Sequence, residues 1–168
     1  MSTSRPAGAA HAPALRIVPR DPAHPHATAL LGGLSAALAR ITGSSGDASF
    51  DAADVRGEGA IFLVAYAADG APVACGGYRP LGGGVAEVKR VFAAQKGAGM
   101  PLLRALEAQA LADGHMRLTC ETRRVNTVAV AFYLRAGWRV CENYGKYIGK
   151  PEAVCFEKLL KRQAAEQT

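Results

Sequence analysis

The chain has 168 residues, of which 49% are hydrophobic and 20% charged, with a formal net charge of +6. These values fit one globular domain with its own apolar core rather than a disordered chain, and the longest apolar run, Ala60 to Ala68, falls well short of the roughly 20 residues a membrane span needs. The positive charge is scattered, paired only at Lys89-Arg90, Arg123-Arg124 and Lys161-Arg162, so it fits a solvated basic surface or an anionic small ligand, not a nucleic-acid reader with clustered cations and exposed aromatics.

Residues 1–13 are small, polar and rich in Pro and Ala, without the apolar segment of a secretory signal. They are expected to form a disordered tail, residues 14–160 the domain, and residues 161–168 a second tail. The four cysteines, Cys75, Cys120, Cys141 and Cys155, are far apart, with no C-x-x-C pair and no histidine at ligand spacing. That argues against a zinc centre or a disulfide scaffold and for a reduced, cytoplasmic protein.

In chain order, Leu15–Val18 reads as a short strand stopped by Pro19, and His26–Ile41 as a helix carrying Leu30, Leu31, Leu34 and Leu38 at helical spacing. Thr42–Gly59 is rich in Gly, Ser and Asp and reads as loop, with a short helical turn around Phe50–Val55. Ile61–Tyr66, the Asp69-Gly70 turn, Val73–Arg79, the turn at Pro80–Gly84 and Val85–Phe92 make a three-stranded meander. Gly97-Ala98-Gly99 opens a helix with Pro101 in its first turn and Gly114 past its end. Arg117–Glu121 is a strand, Asn126 caps a helix ending at Gly137, and Trp138–Cys141 and Ala153–Lys158 are the last strands. The order predicts a three-layer α/β or α+β domain with helices packed on a mixed sheet.

The strand Val85–Phe92 running into Gly97-Ala98-Gly99 and a helix carries the most chemistry. Backbone amides of a glycine-rich turn and of a first helical turn converge, and the helix dipole adds positive charge, so a phosphate can sit there. The same glycines also fit a plain strand-to-helix turn. The third glycine of the dinucleotide fingerprint is replaced by Leu102, and no Gly-Lys-Ser/Thr of a Walker loop follows.

The second half of the chain resembles the GNAT N-acetyltransferase superfamily. That family has an E-x-K-R strand, here Glu87-Val88-Lys89-Arg90-Val91-Phe92, followed by a glycine-rich loop and helix, here Gly97 to Glu107. It then has L-x-x-E-T, here Leu118 to Thr122, and a helix pattern matched by Asn126, Ala129, Phe132, Tyr133, Gly137 and Trp138. The pattern covers residues 85–138, and weaker similarity extends it to about residues 15–160. One departure is Ala94, where the family usually has glutamine or arginine, and the connection before Gly97 is shorter than is common.

The resemblance implies a mostly antiparallel central sheet of six to seven strands flanked by helices, and transfer of acetyl from acetyl-CoA, as cosubstrate, to a primary amine in a ternary complex. No metal is implied. It implies Glu87 as general base through a water, with an ion pair to a nearby basic residue as the alternative, and Tyr133 as general acid to the leaving thiolate. A backbone amide near Phe92-Ala93 would serve the developing oxyanion. Val91, Phe92, Ala93, Lys96, Gly97, Ala98, Gly99, Met100, Asn126 and Tyr133 are the implied cofactor-binding positions, with Lys96 in place of the missing arginine. Asn126 caps its helix, holds the pantetheine arm, or does both. Tyr144 and Tyr147 are placed at the acceptor site by their position in the family fold. The implied partner is a small-molecule or peptide amine, with no nucleic acid and no membrane, on a monomer or homodimer. A catalytically inactive acetyl-CoA-binding sensor or interaction module of the same fold is the alternative.

Overall fold

A computed structural model describes residues 14–161. The tails expected at residues 1–13 and 161–168 lie outside the described residues, Lys161 excepted. Ten regular elements follow one another: β1 (Arg16–Pro19), α1 (Pro25–Thr42), β2 (Ile61–Tyr66), β3 (Pro72–Gly82), β4 (Val85–Ala93), α2 (Gly99–Ala112), β5 (Arg117–Arg123), α3 (Thr127–Arg135), β6 (Arg139–Cys141) and β7 (Ala153–Leu159). Short 3-10 turns at Asp47–Ser49 and Ala52–Val55 break the loop after α1, and a third lies at Gly145–Tyr147.

The strands form one seven-stranded sheet in the order β1-β2-β3-β4-β5-β7-β6. Every neighbouring pair is antiparallel except β4 and β5. Both faces are covered, which is why β2 is apolar at every position rather than alternating. Phe62, Val64 and Tyr66 pack with Ala27 and Leu30 of α1 on one face. Leu63 and Ala65 pack with Leu102, Leu103 and Leu106 of α2 on the other, where Tyr133 and Trp138 also lie.

Helix boundaries follow local chemistry. α1 starts with Pro25, where a missing amide costs nothing, and ends at Gly43 in the left-handed region (φ 82°), whose amide bonds the Ala39 carbonyl. Gly32 lies exposed on this helix, and a methyl group there would meet nothing within 4 Å. Gly32→Ala is therefore expected to stabilise the fold by about 0.5–1 kcal/mol, read as a raised midpoint of thermal unfolding.

β3 runs further than the predicted Val73–Arg79, taking in Pro80 and Gly82 opposite Ala86 and Val85. Proline is tolerated there because β2 has already ended, at Ile61 opposite Tyr78, so the ladder on that side has no bond to lose. The buried Glu107 of α2 accepts from Arg104 and from Lys158 of β7, and Arg104 also donates to the Ala136 carbonyl at the end of α3. This network fixes α3 against α2 and the sheet.

Candidate active site

The parallel pair β4 and β5 is bonded only at its start, through Val85 with Arg117, Ala86 with Leu118 and Glu87 with Thr119. Beyond Glu87 the strands part, although β4 continues to Ala93 and β5 to Arg123. The sheet therefore has a split in its middle. The β5-side edge of β4 from Val88 onward is unpaired, and its amides and carbonyls open into the split.

A bulge shapes the same stretch. Cys75 pairs with Phe92 and Gly77 with Lys89, so Gly76 alone faces both Arg90 and Val91. Arg90 adopts φ 60°, a left-handed conformation that costs a non-glycine residue about 1–2 kcal/mol. Its guanidinium offsets this by donating to Ser35 Oγ at 2.7 Å, Asp47 Oδ1 at 3.0 Å and the Ser45 carbonyl at 3.2 Å. These bonds tie α1 and the following loop to the bulge. The ring of Phe92 then lies against Gly33 of α1, where a methyl group would sit 2.9 Å from it.

A cleft of about 710 Å³ passes through the split and is lined from both faces of the sheet. On the α2/α3 face its wall contains Gly97, Gly99, Met100, Asn126, Phe132 and Tyr133. On the α1 face it contains Leu34, Leu38 and Ile41 of α1, with Glu87, Lys89, Glu121, Lys146 and Tyr147. A smaller polar cavity joining Ser49, Asp54, Arg79, Lys89 and Lys146 lies beside it.

The α2 end has free donors. α1 and α3 each have a side-chain N-cap, from His24 and Asn126, whereas α2 has none. Gly97 turns the chain at φ 88°, and Ala98 bonds back to the Gln95 carbonyl. The amides of Gly97, Gly99 and Met100 make no backbone bond of this kind among the described residues, so they can meet an anion. Asn126 Oδ1 accepts from the Ala129 amide at 3.2 Å as a cap, and the side chain also lines the cleft.

Tyr133 lies at the bottom of this wall. Its ring packs against Trp138 and Phe156, with centroids 5.2 and 5.5 Å away. Burial, with the neighbouring Cys120 thiol, pushes its phenol well above the ordinary value. It therefore keeps its proton at neutral pH, as a proton donor must.

Glu87 is 2% exposed and heavily engaged. Its Oε1 accepts from Arg79 Nε at 2.9 Å and lies 3.6 Å from Lys89 Nζ, while Oε2 accepts from the Tyr144 hydroxyl at 2.5 Å. The ion pair weighed as the alternative for this residue is thus present in the structure. Burial and the Glu87 charge raise the Tyr144 phenol, which stays a donor.

Of the other sequence candidates, Val91, Phe92 and Ala93 line the cleft. Ala98 is fully buried, its amide bonds the Gln95 carbonyl and its carbonyl accepts from the Leu102 amide, so it is not part of the cleft wall. Lys96 is exposed on the turn and is not part of the cleft wall. Arg123 reaches the wall, whereas Arg124 bonds the Pro151 carbonyl. Tyr147 lines the cleft, and Tyr144 stands behind it as the partner of Glu87. The apolar C-terminal half of α1, Lys146 and Arg90 are wall residues that the sequence did not single out.

The acetyltransferase (GNAT) family model matches residues 37–138, more than half of the chain, and the chain belongs to that family. Among solved structures, a Klebsiella pneumoniae protein assigned as an acyl-CoA N-acyltransferase is 26% identical, with a TM-score of 0.75 over 88% of this chain and 98% of its own. A GNAT-family acetyltransferase from Staphylococcus aureus Mu50 is 17% identical, with a TM-score of 0.69 over 88% of this chain and all of its own (100%). A Bacillus anthracis protein assigned as a streptothricin acetyltransferase, in complex with acetyl coenzyme A, is 15% identical, with a TM-score of 0.52 over 61% of this chain and 63% of its own. No curated protein sequence matches the chain. Among the described residues no helix is long and apolar enough to cross a membrane.

Proposed function

We propose that the protein transfers acetyl from acetyl-CoA to a primary amine by direct attack in a ternary complex. The observation that carries this reading is the cleft through the β4–β5 split, lined from both faces of the sheet, so that two reactants entering from opposite faces would meet at the split.

On the α2/α3 face, the free amides at Gly97, Gly99 and Met100 and the positive end of the α2 dipole suit a diphosphate. Asn126 and the unpaired edge of β4 suit the amide groups of a pantetheine arm. The thioester then lies beside β4 near Phe92 and Ala93, where the unpaired edge supplies backbone donors for a developing oxyanion. Tyr133, on the same face, protonates the departing sulfur.

The amine arrives from the α1 face between Leu34, Leu38 and Ile41 on one side and Glu87, Glu121 and Tyr147 on the other. An alkylamine with an ordinary pKa of roughly 10.4 is almost wholly protonated at neutral pH, so a carboxylate on this wall must take a proton before nitrogen can attack.

The test is calorimetry with acetyl-CoA together with a CoA-release assay across an amine panel. Heat on binding and release with at least one amine are expected, whereas absence of heat would remove the reading. Gly97→Ala has room for its methyl group but forces a non-glycine residue to φ 88°. It should cost about 1–2 kcal/mol and weaken acetyl-CoA binding several-fold.

A further inference from the structure

We infer that Glu121, not Glu87, is the general base that takes the proton from the acceptor amine. The inference rests on the transferase reading above and deepens it.

Placement comes first. Glu87 and Thr119 are the last bonded pair before the strands part, and Glu121 lies two residues further along β5. Residues two apart on a strand share a face, so Glu121 lies on the same face as Thr119 and Glu87, the α1 face. It is therefore a carboxylate on the rim of the split itself, part of the cleft wall and directly across from the unpaired run of β4.

Availability comes second. To take a proton, a carboxylate needs an oxygen whose lone pairs are not already committed. Both oxygens of Glu87 are already engaged, Oε1 by Arg79 and the nearby Lys89 ammonium and Oε2 by the Tyr144 hydroxyl. Protonating it would leave the buried Lys89 ammonium, whose side chain is only 9% exposed, without its carboxylate partner and would leave Arg79 with only the more distant Asp54 at 3.7 Å. Glu121 makes no ion pair within 4.0 Å among the described residues.

Electrostatics agree with the geometry. Burial pushes the Glu121 carboxyl above the usual carboxylate range, with the Glu87 charge acting in the same direction, while Arg123, Lys146 and a hydrogen bond from Tyr147 limit the rise. A base nearer the working pH transfers protons more effectively than an ordinary carboxylate.

The step balances as follows. Glu121 takes one proton from the ammonium, and the neutral nitrogen forms its bond to the thioester carbon. The C–S bond breaks and sulfur takes the Tyr133 proton. Nitrogen sheds a second proton, which restores the phenol, and Glu121 returns its own proton to solvent. Glu87 is then a positioning residue. By holding Arg79 and Tyr144 it fixes the segment leading into Gly145–Tyr147, which brings Lys146 and Tyr147 to the cleft.

The experiment measures CoA release by the full chain over a pH series with two probes: n-butylamine, which is protonated at neutral pH, and aniline, which is not. With butylamine, Glu121→Gln should lower kcat about 10²–10³-fold and abolish the acidic limb of the rate profile. That limb should lie above the usual carboxylate range, since activity rises as a carboxyl of raised pKa loses its proton. With aniline, which needs no initial deprotonation, the loss should be about tenfold or less. Glu121→Asp should recover part of the limb, and Glu87→Gln should keep it while raising KM.

A Glu121→Gln enzyme that retains the limb, or loses the same factor with both amines, would overturn the assignment. Should the wild-type chain use neither amine, hydrolysis of acetyl-CoA gives the same comparison, with water as the group that is deprotonated. No CoA release under any of these conditions also overturns it. Calorimetry then shows which statement has failed: heat with acetyl-CoA leaves the binding reading standing and removes only the base, whereas no heat removes both.

Discussion

Tyr133→Phe should lower kcat for CoA release by about 10²–10³-fold while leaving the affinity for acetyl-CoA within about twofold of wild type. The substitution removes one oxygen and keeps the ring. Packing against Phe156 and Trp138 survives, and so does the shape of the wall that the thioester faces. What disappears is the proton held for the leaving sulfur, which must then depart as a thiolate or wait for water. Stability should change by about 1 kcal/mol or less, because the lost hydroxyl had no strong partner beyond the nearby Cys120 thiol. Steady-state kinetics, calorimetry and thermal unfolding on the same preparations separate these effects. A sensor that binds acetyl-CoA without turning it over would show no difference between the two proteins in the kinetic assay. An unchanged kcat in an active enzyme would remove Tyr133 from the mechanism.

Gly77→Ala should destabilise the fold by about 3 kcal/mol, lowering the midpoint of thermal unfolding by roughly 6–12 °C. A methyl group at this position would sit 2.5 Å from the Ile61 carbonyl oxygen and 3.0 Å from both Phe62 and Val55 side chains. Carbon and oxygen cannot approach so closely, and the obstruction is main chain in the neighbouring strand, so no side-chain rotation relieves it. β2 and β3 must separate locally. Gly77 also pairs with Lys89 across the β3–β4 ladder, so the movement reaches the wall that carries Glu87. The variant should therefore lose activity at temperatures where it is still folded. Circular dichroism melting paired with the CoA-release assay would show whether the two losses appear together.

Much of the framework can be read from residues whose chemistry has few outcomes. Gly97, Pro101 and Gly114 bracket α2, and Asn126 and Gly137 bracket α3, because caps, proline and left-handed turns act locally. Long-range pairing is harder. β5 runs to Arg123 rather than the predicted Glu121 because β7 bonds it as far as Ala153, and nothing near Arg123 announces a partner 30 residues later. The bulge at Arg90 is equally hidden, since arginine is not a residue that seeks positive φ. It is held there by Ser35, Ser45 and Asp47 from a helix and a loop far back in the chain.

The site shows the same division. Glu87 and Tyr133 stand out through resemblance to a family, and Gly97 through the geometry of its turn. Glu121 appears in the sequence only as one letter of L-x-x-E-T. Its position on the rim depends on where two parallel strands stop bonding, which is a property of the assembled sheet. Conversely, the engagement of Glu87 by Arg79 and Tyr144 joins residues 8 and 57 positions away, and no spacing rule connects the second pair.

The place of β7 sets a condition on how the protein is made. This segment follows every other described element yet sits in the interior of the sheet, bonded to β5 along seven residues and to β6 along three. A ribosome-bound chain that has emerged only as far as Glu152 would hold the Gly97 turn and Tyr133, but β5 would have a bare edge and Glu121 no strand at its back. Such a nascent chain cannot complete the acceptor wall, and its open edge is a surface on which other unfinished copies can pair. Catalytic competence should thus appear only once Ala153–Leu159 has emerged, in one step with its docking.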